Sequence, residues 1–303
     1  LNDKWSVFAG IRADRFDFDL GTQSAALVKA HYDYSDTLTN SHMGIVYDIN
    51  SVGNVYFTWS TAADINGGES DVGTSSGYGG TVIYNGSVAG AKPESSDNLE
   101  LGTKWNIFDE TLLLTAAVFQ VTKSDVMEGA NYDSVGTFNT GEIRVRGIEF
   151  GASGQITDKL LTQAGITYMD AEVMESATAA NLGKTISNFA DVSLNLQLKY
   201  QLTEKFGFGG AWKYESKKYA GQPDTAAAYT VVPATGNYYY SQPIPEYAVL
   251  DLFATYDFSK NLDVRLNIGN VTDKDYYLAA YRSGSFVYKG DARTARVTLN
   301  YNF

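Results

Sequence analysis

The sequence predicts an all-β protein: a transmembrane antiparallel up-and-down β-barrel with about 12 strands in its 303 residues. Three observations carry this prediction. The composition is rich in strand-forming aromatic residues, many segments alternate apolar and polar residues, and the connections between those segments are sorted by length.

The composition favours extended structure over helix. The chain has 22 Tyr, 15 Phe and 29 Gly against 5 Pro and no Cys. Aromatic side chains suit a pleated surface and Gly marks tight bends. The missing Cys excludes disulfides, thiolate metal sites and a Cys nucleophile. A net charge of -12 excludes nucleic-acid binding as a function, because that needs a basic face.

Alternation defines the predicted strands. In the segment 192–201, for example, Val192, Leu194 and Leu196 alternate with polar residues, which gives one apolar and one polar face. The predicted strands cover residues 4–18, 43–49, 55–59, 99–107, 111–124, 138–154, 159–171, 192–201, 206–215, 246–258, 262–269 and 294–303.

A soluble β-sandwich would show the same alternation, so the connections must separate it from a membrane barrel. The short links lie at residues 51–53, 108–110, 156–158, 203–205 and 259–261. The long links cover residues 19–37, 63–94, 125–137, 172–187, 219–245 and 271–290. In an antiparallel meander these two sets lie at opposite ends, as in outer-membrane barrels with short periplasmic turns and long outer loops.

Other features agree with a bilayer. Strands of about ten tilted residues cross the hydrocarbon layer, and closure leaves no unpaired edge. The four Trp fall towards strand ends, as aromatic belts do: Trp5, Trp59, Trp105 and Trp212. The polar face points into a wet or plugged lumen and carries Lys104, Lys199, Lys213 and Arg265. The longest nearly apolar run, 112–119, is too short for a membrane-spanning helix.

Several motifs make the prediction more specific. Residues 92–105 read KPESSDNLELGTKW, residues 144–150 RVRGIEF, residues 165–171 GITYMDA and residues 262–277 LDVRLNIGNVTDKDYY. These motifs, the strand 112–119 and the terminal aromatic Phe303 resemble TonB-dependent siderophore receptors of the bacterial cell outer membrane. Residues 144–171 and 206–221 look most similar to the catecholate-type subgroup.

The resemblance implies a barrel of about 22 strands that encloses an N-terminal plug. We therefore expect residues 1–303 to be the C-terminal portion of the barrel, with the plug and the first strands absent. A closed twelve-stranded barrel is the alternative, and it requires the strand of Trp5 to pair with that of Phe303. The implied partners are TonB, through the plug, outer-membrane lipid and lipopolysaccharide, and a ferric siderophore as the transported ligand.

We expect no enzyme, no cofactor and no metal site. The chain has two His, His31 and His42, and no Cys. The sequence assigns no Ser as a partner of either His, so a nucleophilic triad is not expected. His31 beside Asp33 and Asp36 is best explained as solvated loop residues.

Ligand binding is expected in the outer loops and the upper lumen. Aromatic rings there suit an aromatic or metal-chelate ligand, and cations suit its negative charge. The candidate residues are Tyr78, Tyr84, Tyr132, Lys217, Lys218, Tyr219, Tyr238, Tyr239, Tyr240, Tyr281, Arg282 and Tyr288. Tyr229 and Lys289 lie in the same links. An interfacial girdle and loop packing would place the same tyrosines there without a ligand.

The charge of the loops leaves the ligand class open. The link 63–94 holds Asp64, Glu69, Asp71 and Glu94 against Lys92 alone, whereas ferric catecholates are strongly anionic. Either other parts of the receptor supply positive charge or the ligand is neutral or hydroxamate-like. The rival functions are a porin-like passive channel, a structural or adhesive outer-membrane barrel, and a soluble β-domain that binds carbohydrate.

Overall fold

The structure is a computed structural model that describes residues 2–23, 27, 29–64, 93–126, 141–221, 226–240, 243–281 and 286–303. One antiparallel sheet dominates it, and the strands of that sheet follow one another in chain order. The twelve strands are β1 (Trp5–Gln23), β2 (Lys29–Asp48), β3 (Gly53–Asp64), β4 (Glu94–Ile107), β5 (Leu112–Val126), β6 (Gly141–Thr157), β7 (Leu160–Glu175), β8 (Val192–Gln201), β9 (Phe206–Glu215), β14 (Tyr247–Asp257), β15 (Leu262–Gly269) and β18 (Thr294–Tyr301).

The remaining elements are short and lie between the long strands. They are the 3-10 helix η1 (Ala179–Asn181) and the strands β10 (Lys218–Tyr219), β11 (Tyr229–Val231), β12 (Tyr238–Tyr240), β13 (Pro243–Ile244), β16 (Tyr277–Tyr281) and β17 (Phe286–Lys289). They form three two-stranded sheets, β10 with β13, β11 with β12, and β16 with β17. Among the described residues, no helix is both long and apolar enough to cross a membrane.

One face of the large sheet is apolar and exposed. Cross-strand pairing aligns a row of large side chains on this face, and each of them is at least 36% exposed: Val7, Ile45, Phe57, Leu101, Val118, Ile148 and Tyr168. A β-sandwich would bury such a face against a second sheet. A contiguous apolar surface of this extent requires an apolar surrounding, so the soluble sandwich is excluded and a bilayer is indicated.

The opposite face carries the polar residues, as predicted. Lys104 lies opposite Asn54 and Thr115, and Arg265 lies opposite Thr255 and Thr298. Lys199 on β8 lies opposite Gly209 and Lys213 on β9 lies opposite Asn195, and both belong to this same face. The side chains on this face bond to one another, for example the Tyr56 hydroxyl, which donates to Glu100 Oε1 at 2.6 Å. This face forms the wall of the lumen.

The predicted sorting of the connections is confirmed, with one change. Residues 49–52, 108–111, 158–159, 202–205 and 258–261 are the short turns at one end of the sheet. The predicted long loop 19–37 is wrong, because β1 and β2 continue through most of it, with backbone pairing up to Gln23 and Lys29. The alternation of apolar or aromatic residues with polar ones continues there, as in residues 16–20 (FDFDL) and 30–35 (AHYDYS), so the strand pattern runs on beyond Phe18.

The sheet has two edges, β1 and β18. Among the described residues, β1 pairs with β2 and β18 pairs with β15, and the two edge strands do not pair with each other. The alternative of a closed twelve-stranded barrel is therefore not adopted. The described sheet therefore has one unpaired edge at β1 and one at β18.

The turn after β4 has an unusual backbone. Phe108, Asp109 and Glu110 have φ values of 54°, 54° and 65°, in the left-handed region that disfavours residues with a Cβ. The Thr111 hydroxyl and backbone N–H both donate to the Phe108 carbonyl, at 2.7 Å and 3.2 Å, and close the turn. Asp tolerates this region better than Phe or Glu does.

The Glu110→Gly variant is expected to be more stable than the natural protein by about 0.5–1 kcal/mol, because Gly adopts a positive φ without steric cost. Glu110→Val should lose a similar amount, since a β-branched residue fits this region poorly. The check is the midpoint of thermal unfolding of the intact protein in detergent, followed by circular dichroism. The matched control is Glu204→Gly in the short turn 202–205, where φ is not positive and no gain is expected. An equal gain there would contradict the explanation.

Candidate functional site

Three segments at the end of the sheet opposite the short turns pack against one another. They are residues 176–191, 216–246 and 270–293, and their described part is called the outer loop cluster below. Ala220, Ile244 and Ala280 from two of these segments are buried together and form a small apolar core. The outer end therefore carries an ordered unit built from three successive loops.

Asn188 joins all three segments. Its backbone N–H donates to the Tyr219 carbonyl at 2.8 Å. Its side-chain Nδ2 donates to the Ala280 carbonyl at 2.8 Å, and its Oδ1 accepts from the Ala280 N–H at 2.9 Å. The side chain thus pairs with the third segment in the way that a neighbouring strand would. Its φ of 55° suits Asn, which adopts the left-handed region more readily than most residues.

Asn270 anchors the base of the third segment and explains part of the motif at 262–277. The side chain is 2% exposed. Its Nδ2 donates to the carbonyls of Lys274 and Asp291, both at 2.9 Å, and its Oδ1 accepts from the Lys274 N–H at 2.9 Å. The two ends of the segment are thereby held together above β15.

Tyr276 completes this anchor. Its ring packs against that of Tyr247 at the start of β14, with the centroids 4.7 Å apart. The same ring fills the space beside Gly290, where a Cβ would collide with it. The family-like motif therefore fixes the base of the last outer loop.

Four tyrosines of the second segment contact one another and are called the tyrosine row below: Tyr219, Tyr229, Tyr238 and Tyr240. Ring centroids lie 4.4 Å apart for Tyr219 and Tyr240, 5.2 Å for Tyr238 and Tyr240, and 6.0 Å for Tyr229 and Tyr238. The pairing of β11 with β12 places Tyr229 opposite Tyr240 and so fixes the row. Three of the predicted site residues are thereby brought together.

The hydroxyl of Tyr240 is held by the first segment. It accepts a hydrogen bond from the Thr185 N–H at 2.8 Å. Burial is the main cause that raises the pKa of Tyr240 to about 12, and the neighbouring Tyr238 and Tyr219 add to the effect. The phenol therefore stays neutral at physiological pH, and the row presents aromatic faces and hydroxyls instead of phenolates.

A lysine that the sequence analysis did not single out lies on the tyrosine row. The Lys184 ammonium is 3.3 Å from the ring centroid of Tyr238 and 5.3 Å from that of Tyr229. Such contacts are favourable cation–π interactions. Lys184 reaches the row because its carbonyl accepts from the Val173 N–H on β7, which folds residues 183–184 back onto the sheet.

The two predicted lysines behave differently from each other. Lys217 is exposed, and its ammonium lies 6.0 Å from the ring centroid of Tyr219. Lys218 is 4% exposed, with its ammonium 2.6 Å from a carboxylate oxygen of Glu215 and 2.5 Å from the Leu278 carbonyl. Lys218 therefore ties the second segment to the barrel wall and to the third segment.

The remaining predicted residues are more scattered. Tyr239 is 62% exposed and Tyr288 is 52% exposed. Tyr281 pairs with Phe286 in the hairpin of β16 and β17. Lys289, on the same hairpin, forms a 2.6 Å ion pair with Asp275, and this contact lowers the pKa of that carboxyl. Tyr78, Tyr84, Tyr132 and Arg282 lie outside the described residues.

Within the described residues, no group of three or more His, Asp or Glu side chains is arranged to hold a metal ion. The chemistry available to the outer loop cluster is non-covalent: aromatic stacking, cation–π contacts and charge-assisted hydrogen bonds.

A single antiparallel sheet with an exposed apolar face, a polar inner face, short turns at one end and long loops at the other defines an outer-membrane β-barrel. The chain belongs to the TonB-dependent receptor β-barrel family, because the family model described as "TonB dependent receptor-like, beta-barrel" matches residues 1–271. This family is one of outer-membrane receptors, in agreement with the predicted localisation.

Individual relatives match the whole chain or most of it. The probable TonB-dependent siderophore receptor PiuA of Acinetobacter baumannii is 29% identical over 317 residues, which cover 100% of this chain and 39% of the relative. The catecholate siderophore receptor Fiu of Escherichia coli K12 is 28% identical over 271 residues, which cover 89% of this chain and 33% of the relative.

The fold is shared with solved structures. The closed form of the ferric-catecholate import receptor Fiu from E. coli K12 superposes with a TM-score of 0.79 at 25% identity, covering 100% of this chain and 43% of that chain. The structure of the siderophore receptor PiuA from A. baumannii also superposes with a TM-score of 0.79 at 25% identity, covering 98% of this chain and 41% of that chain. The chain thus spans about two fifths of the length of the relatives it matches.

Proposed function

We propose that this chain is part of an outer-membrane receptor that imports ferric siderophore complexes with energy supplied through TonB. The observation that carries the proposal is the outer loop cluster, which places tyrosine rings and lysines at the outer mouth of a barrel of this family. The named relatives are siderophore receptors, one of them for catecholates.

In this function the outer loops bind the ferric chelate, which then moves along the polar wall of the lumen. Aromatic faces and cations hold the ligand at the outer end, and the polar lumen wall provides hydrogen-bonding groups along the path. The iron is cargo and no bond of the chelate need break. By family resemblance, TonB acts on a plug inside the barrel, so residues 1–303 would be the C-terminal portion of the barrel around it.

Outer-membrane lipid and lipopolysaccharide are proposed as the surrounding partners. On the apolar face, β6 and β7 change from Ile148 and Tyr168 to charged residues one step further out. Arg146 pairs with Asp170 at 3.1 Å, and Arg144 pairs with Glu172 at 2.6 Å. We place the headgroup region of the outer leaflet at this ion-paired row, where polar lipid groups replace acyl chains.

The proposal predicts that uptake of a radioactive ferric siderophore complex by cells with the intact receptor falls to background when TonB is deleted. Energy coupling is the reason, since the bound chelate is released inward only when TonB acts. As a control that TonB function is lost, the uptake of a ferric complex that the same cells import through a different TonB-dependent receptor should fall in the same strain. Uptake that persists without TonB, together with ion leakage from liposomes holding the purified protein, would favour a porin-like passive channel. A barrel that binds no ferric complex and conducts no ions would favour the structural or adhesive function.

A further inference from the structure

The outer loop cluster contains two lysines placed on aromatic rings and linked by those rings. Lys184 lies over Tyr238, Tyr238 contacts Tyr240, Tyr240 contacts Tyr219, and Lys217 lies beside Tyr219. The result is a continuous series of contacts with one positive charge at each end. The rings of the row keep partial contact with solvent, with Tyr238 39% exposed.

The charge of Lys184 is available, whereas Lys217 interacts electrostatically with the Asp191 carboxylate and the other cations nearby are paired. Lys218, Lys289 and Arg293 are paired with Glu215, Asp275 and Asp273, at 2.6, 2.6 and 3.7 Å. In the part of the chain that the structure describes, Lys184 and Lys217 form no salt bridge. An ammonium over a ring keeps N–H groups directed away from it, and these can meet an anion.

We infer that Lys184 and the tyrosine row form a recognition site for a planar aromatic anion, and that this is where the catecholate rings of a ferric chelate bind. An aromatic ligand ring can stack on the row, while the ammonium of Lys184 meets its oxygens. A neutral hydroxamate chelate offers neither a ring nor a charge. The site thereby supplies the positive charge that the acidic link 63–94 does not. This inference rests on the proposed function and names its ligand class.

The experiment measures equilibrium binding to the purified intact receptor of two probes: the ferric complex of 2,3-dihydroxybenzoate and a neutral ferric tris-hydroxamate. Lys184→Gln removes the charge and keeps a polar side chain of similar shape. It should weaken catecholate binding by about tenfold, the size of one charge-assisted contact. Lys184→Arg should restore most of the affinity, since the cation–π contact and the charge are retained.

The matched control is Lys260→Gln, an exposed lysine in the short turn 258–261 at the opposite end of the sheet, which should leave the affinity within about twofold of the natural protein. Hydrogen exchange of residues 183–188 is measured in each variant, and similar exchange in Lys184→Gln and the natural protein assigns the loss to the charge. The catecholate affinity of the natural protein should fall as salt is added, with a smaller salt dependence in Lys184→Gln.

The outcomes separate the two proposals. If the natural receptor binds neither ferric complex, the proposed function is wrong. If it prefers the hydroxamate, or if Lys184→Gln binds the catecholate as well as Lys260→Gln does, the receptor function stands and the Lys184 site is refuted. A tenfold loss in Lys184→Gln with recovery in Lys184→Arg supports the site.

Discussion

Replacing Asn270 by Ala is expected to release the base of the last outer loop at a cost of about 3 kcal/mol, because three hydrogen bonds of a buried side chain are lost, each contributing about 1 kcal/mol. The bonds join Asn270 to Lys274 and Asp291. Ala also adopts the φ of 47° less readily than Asn does. The check is hydrogen exchange of the Lys274 amide in the intact protein, which should open about 100-fold more often.

Two variants separate the causes of this loss. Asn270→Asp keeps the acceptor for the Lys274 N–H but turns a buried carboxylate oxygen towards the carbonyls of Lys274 and Asp291, so its amide exchange should be at least as fast as that of Asn270→Ala. Asn261→Ala is the matched control, since Asn261 is exposed and its Nδ2 makes one bond to the Asn302 carbonyl at 2.7 Å. If Asn270→Ala lowers the stability no more than Asn261→Ala does, the burial of Asn270 does not strengthen its hydrogen bonds.

The membrane-spanning part of the fold could be predicted because lipid imposes a strict rule on every strand. Each outward residue must be apolar, so alternation identifies both the strands and the face that points to lipid. In the alternating segments 55–59 and 99–107, Phe57 and Leu101 fall on the apolar side, and they lie opposite each other on the exposed face. The sorted link lengths then fix which end carries the turns.

That rule stops at the edge of the bilayer, where the predictions become less accurate. The hairpin of β1 and β2 runs on through most of residues 19–37, with backbone pairing up to Gln23 and Lys29, although residues such as Asp17 and Asp19 differ from the apolar residues expected of a lipid-facing strand. The strands β10 to β13 have two or three residues each, too few for a periodicity. β10 pairs with β13 across the intervening hairpin of β11 and β12.

The sequence predicted only part of the candidate site, because the loops that form it lie outside the bilayer. Tyr238 and Tyr240 stand out in the sequence as part of a run of three tyrosines, and the structure brings them together with Tyr219. Lys184 has no such signal, because its position on the row depends on the return of residues 183–184 to Val173 and on the pairing of β11 with β12. A residue defined by three long-range contacts is seen only in the folded chain.

The two asparagines of the cluster have different tasks. Asn270 closes one loop on itself, so its loss affects that loop first. Asn188 connects loops that are also joined through the small core of Ala220, Ile244 and Ala280, through the bond of Lys218 to the Leu278 carbonyl and through the bond of the Thr185 N–H to Tyr240. Its removal should therefore alter how the loops move together more than how each one folds.

Asn188→Ala is expected to weaken the attachment of residues 176–191 to the third segment by about 2 kcal/mol, since the two side-chain bonds to Ala280 contribute about 1 kcal/mol each. The Ala280 amide should then exchange about 30-fold faster. In Asn188→Gly the glycine adopts the φ of 55° without strain. This variant therefore separates the effect of the lost hydrogen bonds from the effect of backbone strain. If the bonds matter, both variants show the faster exchange, and if only strain matters, Gly restores the natural rate.

The same variants test whether the cluster acts as one unit. If Asn188 couples the three segments, faster exchange at Ala280 is accompanied by faster exchange at Thr185 and Tyr219, which lie in the other two. The Lys184 loop then loses its fixed position on the tyrosine row, and the affinity for an aromatic ferric chelate falls although no ligand-contacting side chain has changed. Faster exchange confined to Ala280, with unchanged chelate affinity, would mean that each loop is held by its own strands and that the barrel mouth is three independent loops.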